Sequence, residues 1–180
     1  MTDSDLLQRS AEGDEGAFEA LYQRHRDAVY RFAWVITKSP ADAEDVAQEC
    51  FLTLSRKAAD FDPRRAQLRT WLLGIVRNLC QRKRSVDSPH AMAEAWEDYG
   101  METALIREQI GETVRRAVLE LPESQRLAIA LFEFEELSLS ETAEVLGIAP
   151  NAVKARLHRG REMLKKSLAP LRLHERKNPL

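Results

Sequence analysis

The sequence predicts an all-α protein made of two small helical domains that are joined by an acidic linker. Apolar residues recur at steps of three and four over most of the 180 residues, which is the period of an amphipathic helix. No segment alternates convincingly at period two, so strands are not expected. The helical period is lost over residues 86–107, which separate a domain at residues 1–85 from one at residues 108–180.

Four helices are predicted in the first domain, at residues 4–11, 14–36, 41–57 and 68–84. Ser39 and Pro40 indicate where the third helix begins, because serine caps a helix N-terminus and proline suits the first helical position. Asp62 and Pro63 separate the third helix from the fourth, since a residue that precedes proline avoids helical dihedral angles. Each predicted helix has an apolar stripe that can be buried against the others.

The second domain begins with two predicted helices, at residues 108–119 and 122–134, and continues as a helix-turn-helix. Ser138 and Glu141 have the spacing of a capping box. Gly147 can supply the left-handed residue that ends the capped helix, and Pro150 can begin the next one. Ala149 precedes that proline and offers no side-chain cap.

The second helix of this pair has one apolar stripe and otherwise polar or basic faces. The stripe consists of Val153, Leu157, Gly160 and Leu164. A helix of this kind fits the major groove of DNA, with its first turns near base edges and its later cations near phosphates. A surface helix with a basic face is the alternative. The candidate DNA contacts are Asn151, Lys154, Ala155, Arg156, His158, Arg159 and Arg161.

Charge is distributed in blocks, although the chain as a whole has a formal net charge of only −2. Residues 56–84 and residues 151–180 each hold nine basic and two acidic side chains. The segments before and between these blocks are acidic. Such an asymmetry indicates contact with a polyanion at two places, whereas one basic block alone would be read as a solvated helix face.

The first basic block mixes cations with aromatic side chains, and part of it lies in a loop. Positive charge beside rings on which bases stack suits single-stranded DNA, and a loop can pocket a flipped base. Trp71 has an alternative role as a core residue. The candidate contacts here are Asp62, Arg64, Arg65, Arg69, Trp71, Arg77, Asn78, Arg82, Lys83 and Arg84.

Asp42, Asp45 and Glu49 share one face of the third predicted helix, opposite its apolar stripe. A row of this kind is either a solvated surface or a group of metal or acid–base ligands, but no histidine lies nearby. Cys50 and Cys80 lack the spacing of a zinc site or a disulfide framework, and both are expected to be small buried side chains. We therefore expect no cofactor and no metal.

Neither an apolar run of 18 residues nor a secretory signal is present in the sequence. The first 18 residues are acidic and lack the apolar segment of a signal peptide. A membrane-spanning helix needs about 20 predominantly apolar residues. No insertion into a membrane is expected, and the sequence predicts a cytoplasmic protein.

Three segments resemble the sigma-70 family in its extracytoplasmic-function, or group 4, form. The segment LPESQRLAIALFEFEELSLSETAEVLGIAPNAVKARLHRGREMLK is similar to sigma region 4. The segments DAEDVAQECFLTLSR and FDPRRAQLRTWLLGIVRNLCQRKR are similar to parts of sigma region 2. The resemblance implies a region 2 helical bundle at residues 1–85, a flexible linker at residues 86–107, and a region 4 helix-turn-helix at residues 108–180 with a short basic tail.

The resemblance implies that the protein is a promoter-specificity subunit of bacterial RNA polymerase and not an enzyme. The second basic block would then recognise the −35 element, and the first would recognise and melt the −10 element. The implied partners are promoter DNA, an anti-sigma factor, and the beta-prime clamp helices and beta flap of the polymerase core. The core would be bound through Asp42, Asp45, Gln48 and Glu49.

Two alternatives come from other functional classes. A stand-alone helix-turn-helix regulator would bind a palindrome as a dimer, but it would leave the first basic block and the acidic row without a role. A carboxylate-dependent nuclease would use Asp42, Asp45 and Glu49 and would depend on a metal ion.

Overall fold

The structure is a computed structural model, and it describes residues 1–86 and 105–169, without the side chains of residues 84–86 and 105–110. Over these ranges it contains helices and no strand, which confirms the all-α prediction. Most of the predicted linker, at residues 87–104, and the tail after residue 169 lie outside the described part. The predicted domain boundaries at residues 85 and 107 therefore stay predictions.

The first half of the chain forms four α-helices, and their bounds lie within two residues of those predicted. Local capping explains this agreement, because Asp14 and Ser39 accept backbone N–H groups of Ala17 and Asp42 at 3.0 and 3.3 Å. A short 3-10 helix, Ala58–Asp60, follows the third. The helices are α1 (Asp3–Ala11), α2 (Glu15–Thr37), α3 (Pro40–Lys57) and α4 (Leu68–Val86).

Helix α2 packs against α1, α3 and α4 and lies at the centre of the first half. Its Phe32 and Trp34 are each 1% exposed, so their rings supply much of the buried apolar surface. Cys50 and Cys80 are buried and unbonded to each other, as expected for small core side chains. Burial raises the pKa of the Cys50 thiol to about 12, which keeps it protonated and unreactive.

Within residues 105–169, the second half contains four more α-helices and one π-helical turn. Residues 122–134 were predicted as one continuous helix, and this prediction is wrong at its C-terminal end. There the Glu135 N–H donates to the Ala130 carbonyl at 3.0 Å, five residues back, which is the π-helical pattern. The elements are α5 (Leu105–Glu120), α6 (Glu123–Ile129), the π-turn (Ala130–Phe134), α7 (Leu139–Leu146) and α8 (Pro150–Ser167).

The two halves pack against each other, with α7 on α4 and with α6 and the π-turn on α2. A buried arginine joins them, because Arg126 is 4% exposed and its Nε donates to the Val35 carbonyl at 3.0 Å. Lys38 ends α2 in the left-handed conformation, at φ 57°, and its Nζ donates to the Leu119 carbonyl at 3.0 Å. The buried apolar residues form one continuous core through both halves.

Candidate nucleic-acid interface

Helices α7 and α8 form the predicted helix-turn-helix, and its capping signals are present as predicted. The Ser138 hydroxyl accepts the Glu141 N–H at 3.2 Å, while the Glu141 carboxylate accepts the Ser138 N–H at 2.9 Å. The Ser138 hydroxyl also donates to the Glu141 carboxylate at 2.6 Å, and this bond, together with the one from the Ser138 N–H, lowers the pKa of Glu141. Gly147 ends α7 at φ 62°, a conformation that glycine adopts without steric cost. The turn to α8 is therefore fixed by local interactions.

Helix α8 buries one stripe and exposes the remainder of its surface. Val153 and Leu157 are buried at 0% and 2% exposure, and Gly160 lies so close to Ile129 that an added Cβ would be 3.0 Å from its Cγ1. Ala149 makes no side-chain cap, as predicted. Arg156 is half-buried. The exposed candidates are Asn151, Lys154, Ala155, His158, Arg159 and Arg161.

Arg161 is exposed but forms an ion pair within the protein. Its position in the sequence alone did not indicate this pair. Its Nη2 lies 2.6 Å from the Glu133 carboxylate, and its guanidinium lies 5.5 Å from the centre of the Phe132 ring. Both partners belong to the π-turn. Arg161 therefore joins the C-terminal half of α8 to the π-turn, and a contact with DNA would compete with this ion pair.

The loop before α4 is compact and carries two exposed arginines. The Asp62 carbonyl accepts the Arg65 N–H at 3.0 Å, and the Asp62 carboxylate accepts the Arg64 N–H at 2.9 Å. Arg64 and Arg65 point into solvent. Trp71 is half-buried, with its ring centroid 5.5 Å from that of Phe61. This aromatic pair supports the base of the loop, and the rings are partly accessible.

Four of the candidates on α4 lie in different surroundings. Asn78 and Arg82 are exposed, and Arg77 is half-buried. Lys83 donates to Asp42 at 2.7 Å and to Asp45 at 3.1 Å, and the hydrogen bond to Asp42 is the main cause of its raised pKa. The side chain of Arg84 lies outside the described part of the structure.

The acidic row on α3 is therefore not a set of free carboxylates. Asp42 and Asp45 bind Lys83, and Glu49 lies 3.4 Å from Arg56 Nη1. Gln48 is exposed, and Leu52, at 49% exposure, extends the same helix face. Among the described residues, no group of three His, Cys, Asp or Glu side chains could hold a metal ion.

Glu135 is an interface residue that sequence reasoning missed. Its side chain is 2% exposed and accepts hydrogen bonds from Arg31 at 3.0 and 3.1 Å and also from Arg69. Arg31 was not a candidate, and Arg69 was predicted to face DNA. The partners lie 104 and 66 positions away along the chain, so the periodicity of a single helix could not indicate this cluster.

None of the described helices is long and apolar enough to cross a membrane. The helix-turn-helix and the two basic surfaces define the class of the protein, a helical DNA-binding protein. Comparisons with known proteins identify the family within that class. Residues 21–86 match sigma-70 region 2, and residues 111–164 match sigma-70 region 4.

Two characterised relatives align with nearly the whole chain. The chain is 31% identical over 180 residues to the ECF RNA polymerase sigma factor SigW of Bacillus subtilis (strain 168), and the alignment covers 92% of this chain and 96% of that protein. It is 30% identical over 186 residues to the ECF RNA polymerase sigma-E factor of Escherichia coli (strain K12), with coverage of 95% and 96%. The chain therefore belongs to the extracytoplasmic-function group of the sigma-70 family, a family of regulators rather than enzymes.

A solved structure supports the fold of the whole chain. CnrH, in complex with the cytosolic domain of CnrY, superimposes with a TM-score of 0.68 at 27% sequence identity, covering 93% of this chain and 97% of CnrH. The alignment includes both helical halves, so the likeness extends beyond the helix-turn-helix.

Proposed function

We propose that the chain directs core RNA polymerase to promoters, recognising their −35 and −10 elements and promoting DNA melting. The observation that carries this proposal is helix α8, which has one buried apolar face and one exposed basic face and follows the turn at Gly147. A second basic surface lies on α4 and the loop before it. A single DNA-reading helix would suffice for a repressor. Two separate basic surfaces suit a protein that contacts two promoter elements.

Recognition of the −35 element is assigned to α8. A helix presented in this way enters the major groove with its N-terminal turns near base edges. Lys154 lies in the second turn and is exposed, which suits a base contact. Arg159 lies further along the helix, where a phosphate contact is favoured. The full set is Asn151, Lys154, Ala155, Arg156, His158, Arg159 and Arg161.

Recognition and melting of the −10 element are assigned to the loop before α4 and to α4 itself. The exposed Arg64 and Arg65 can hold the backbone of a single strand, and the partly accessible ring of Trp71 can contact a base. Unstacking a base costs a few kcal/mol, which these contacts must offset. The full set is Asp62, Arg64, Arg65, Arg69, Trp71, Arg77, Asn78, Arg82, Lys83 and Arg84.

Docking on the polymerase core is assigned to the acidic face of α3. Asp42, Asp45, Gln48 and Glu49 form its polar part, and Leu52 adds an exposed apolar contact at helical spacing from Glu49. Charges at the rim of an interface tune association rate and register more than total affinity. The beta-prime clamp helices are the proposed partner of this face, and the beta flap is the proposed partner of the second half.

We also propose where the protein acts, which partner regulates it, and that it catalyses no reaction. The protein acts in the cytoplasm, where the polymerase is found, and does not insert into a membrane. An anti-sigma factor is a further proposed partner, supported by the solved complex of CnrH with CnrY. The chain catalyses no reaction of its own, and the carboxylates considered for a nuclease are engaged by Lys83 and Arg56.

Transcription in vitro with core polymerase on a genomic template pool tests the proposed function. Core with this protein should start transcription at a discrete set of sites that share two upstream elements. Core alone should give no such set. The same start sites with and without the protein would contradict the proposal, as would specific sites that share a single palindrome.

A further inference from the structure

Glu135 occupies a buried position between two arginines of the other half of the molecule. Both of its carboxylate oxygens accept from Arg31, through Nε and Nη2, and the Oε2 oxygen also accepts from Arg69. The side chains of Arg31 and Arg69 remain 44% and 33% exposed, against 2% for Glu135. The two arginines therefore form a cationic pair at the surface of the first half, and the second half covers it with one carboxylate.

The surrounding interface is also built from polar contacts. Thr70 donates its hydroxyl to Glu141 at 3.1 Å, and Arg77 lies so close to Gly147 that an added Cβ would be 3.4 Å from its Nη1. The α7 helix and the glycine that ends it thus lie on the face of α4 that carries Thr70 and Arg77. These polar contacts lie beside the apolar core that the two halves share.

The packed arrangement conflicts with simultaneous recognition of two promoter elements. One turn of B-DNA is about 34–36 Å long, so elements about two turns apart require the two halves to be separated. Here α4 and α7 are in contact, and two of the arginines assigned to the −10 element, Arg69 and Arg77, lie against the second half. The 18 residues between α4 and α5 can span roughly 60–65 Å at about 3.3–3.6 Å per residue, which permits the separation.

We propose that Arg31 and Arg69 form a binding site for a DNA backbone phosphate, and that Glu135 occupies this site in the packed, resting arrangement. The proposal rests on the proposed function, and it adds Arg31 to the DNA-binding surface. Promoter DNA and Glu135 then compete for the same two guanidinium groups. The free chain binds DNA weakly because its site is filled from within.

The chemistry of the pair suits a phosphodiester. Guanidinium groups hold carboxylates and phosphates through the same planar, charge-assisted hydrogen bonds. Arg69 Nε is buried and has no hydrogen-bond partner in the described part of the chain, so Glu135 leaves one donor of the pair unused. Arg69 also lies at the start of α4, four residues after Arg65 in the sequence, next to the loop whose exposed cations would hold the strand.

Glu135→Gln tests the competition directly, with Glu136→Gln as the matched control. Both residues are consecutive glutamates and both changes remove one negative charge, but Glu136 is exposed and Glu135 is buried. Energy transfer between dyes on Ser55→Cys and Lys165→Cys reports the separation of the halves, since Cys50 and Cys80 are buried. Binding is measured with a labelled single-stranded 20-mer of mixed sequence. Circular dichroism verifies that each variant stays helical.

The Glu135→Gln chain should show lower energy transfer and bind the 20-mer about tenfold more tightly, because a larger fraction of molecules is competent to bind. The Glu136→Gln chain should behave as the unmodified chain does. Equal effects of the two changes, or opening without tighter binding, would overturn the proposal.

Arg31→Gln supplies the second arm, because it removes the Arg31–Glu135 ion pair from the exposed side and leaves the Arg69–Glu135 pair in place. This chain should also open, but it should bind the 20-mer no more tightly than the unmodified chain does, since half of the phosphate site is lost. Arg26→Gln, an exposed change on the same helix, is its control. Tighter binding by Arg31→Gln would show that opening alone raises affinity and would overturn the assigned site.

These experiments can fail independently of the proposed function. Energy transfer and binding of the 20-mer require no polymerase, whereas the start-site experiment does. If core polymerase with the unmodified chain starts transcription at specific promoters while Glu135→Gln leaves energy transfer and binding unchanged, the competition is wrong and the function stands. If energy transfer and binding respond as expected but no specific start sites appear, the proposed function is wrong and the occupied arginine pair stands.

Discussion

Lys154 and Arg159 project from α8 into solvent, and no acidic side chain in the described part of the chain lies within ion-pair distance of either one. Arg161, two residues after Arg159, is held by Glu133, and Lys83 is held by Asp42 and Asp45. An unpaired cation can bind DNA without breaking an existing contact. At the residue scale, we therefore expect Lys154 and Arg159 to contribute more to DNA binding by α8 than Arg161 does.

Lys154→Ala should reduce use of promoters in a way that depends on their upstream element. A side chain that reads a base contributes about 1–3 kcal/mol of discrimination. The measurement is transcription in vitro with core polymerase on promoters that differ only in the −35 element. Lys165→Ala, which removes an exposed cation from the last turn of α8, is the control. An equal loss on every promoter would show that Lys154 contacts phosphate instead.

His25 provides a prediction about pH. Burial lowers the pKa of this imidazole, and the neighbouring Asp3, whose carboxylate lies 2.8 Å from Nε2, only partly opposes that effect. The folded state therefore favours neutral His25, so its contribution to the free energy of unfolding is full above the ordinary pKa of 6.5. That contribution is lost as the pH falls through the lowered folded pKa.

In the unmodified chain, the free energy of unfolding should fall as the pH is lowered from about 7.5 to 5. In His25→Gln, it should fall less over the same range. Urea unfolding at a series of pH values measures it, with the exposed His158→Gln as control. If the His25→Gln and unmodified chains show the same dependence on pH, His25 does not supply it.

At the scale of the elements, local signals were readable from the sequence and long-range ones were not. Ser39, Ser138 and Gly147 each act on residues within three or four positions, and the helices they bound were predicted closely. The π-turn was missed because an i to i+5 hydrogen bond changes the register of a helix without changing its apolar composition. The π-turn matters for the site because its Phe132 and Glu133 contact Arg161. Glu135 follows directly after it.

The site residues show the same division. The exposed face of α8 follows from its buried stripe, and the buried positions of Val153, Leu157 and Gly160 confirm that stripe. The positions of Arg69 and Lys83 against carboxylates did not follow, because Glu135 belongs to the other half and Asp42 to another helix. A glutamate within an acidic segment is expected to be solvated, and only the tertiary fold shows that Glu135 is buried.

The acidic face of α3 supplies a prediction for one element. Asp45→Arg combined with Glu49→Arg should weaken association with core polymerase while the helical circular dichroism stays intact, because neither side chain is buried in the core. Fluorescence titration of labelled protein with core measures the affinity. Glu44→Arg, an exposed acid outside the row, is the control. Unchanged affinity for core in the double variant would contradict the docking assignment.

At the scale of the whole molecule, the two basic surfaces should act at different steps. Arg65→Ala or Asn78→Ala should impair strand separation, and a template that is already mismatched at its −10 segment should at least partly rescue them. Lys154→Ala should leave opening of that template unaffected. Permanganate footprinting on matched and bubble templates measures opening. A melting defect of Lys154→Ala that is as severe on the bubble as on the duplex would contradict this division.

The central claim is that the chain recognises promoters as a subunit of RNA polymerase and not by itself. The acidic segments before and between the two basic blocks oppose DNA binding by the free chain. The packed arrangement of its two halves opposes it as well. Filter binding of promoter duplex to the free protein, to core polymerase and to the two together tests this claim most directly. We expect tight, sequence-specific retention only when both are present. Equally tight specific binding by the free chain, as a dimer on a palindrome, would contradict the account.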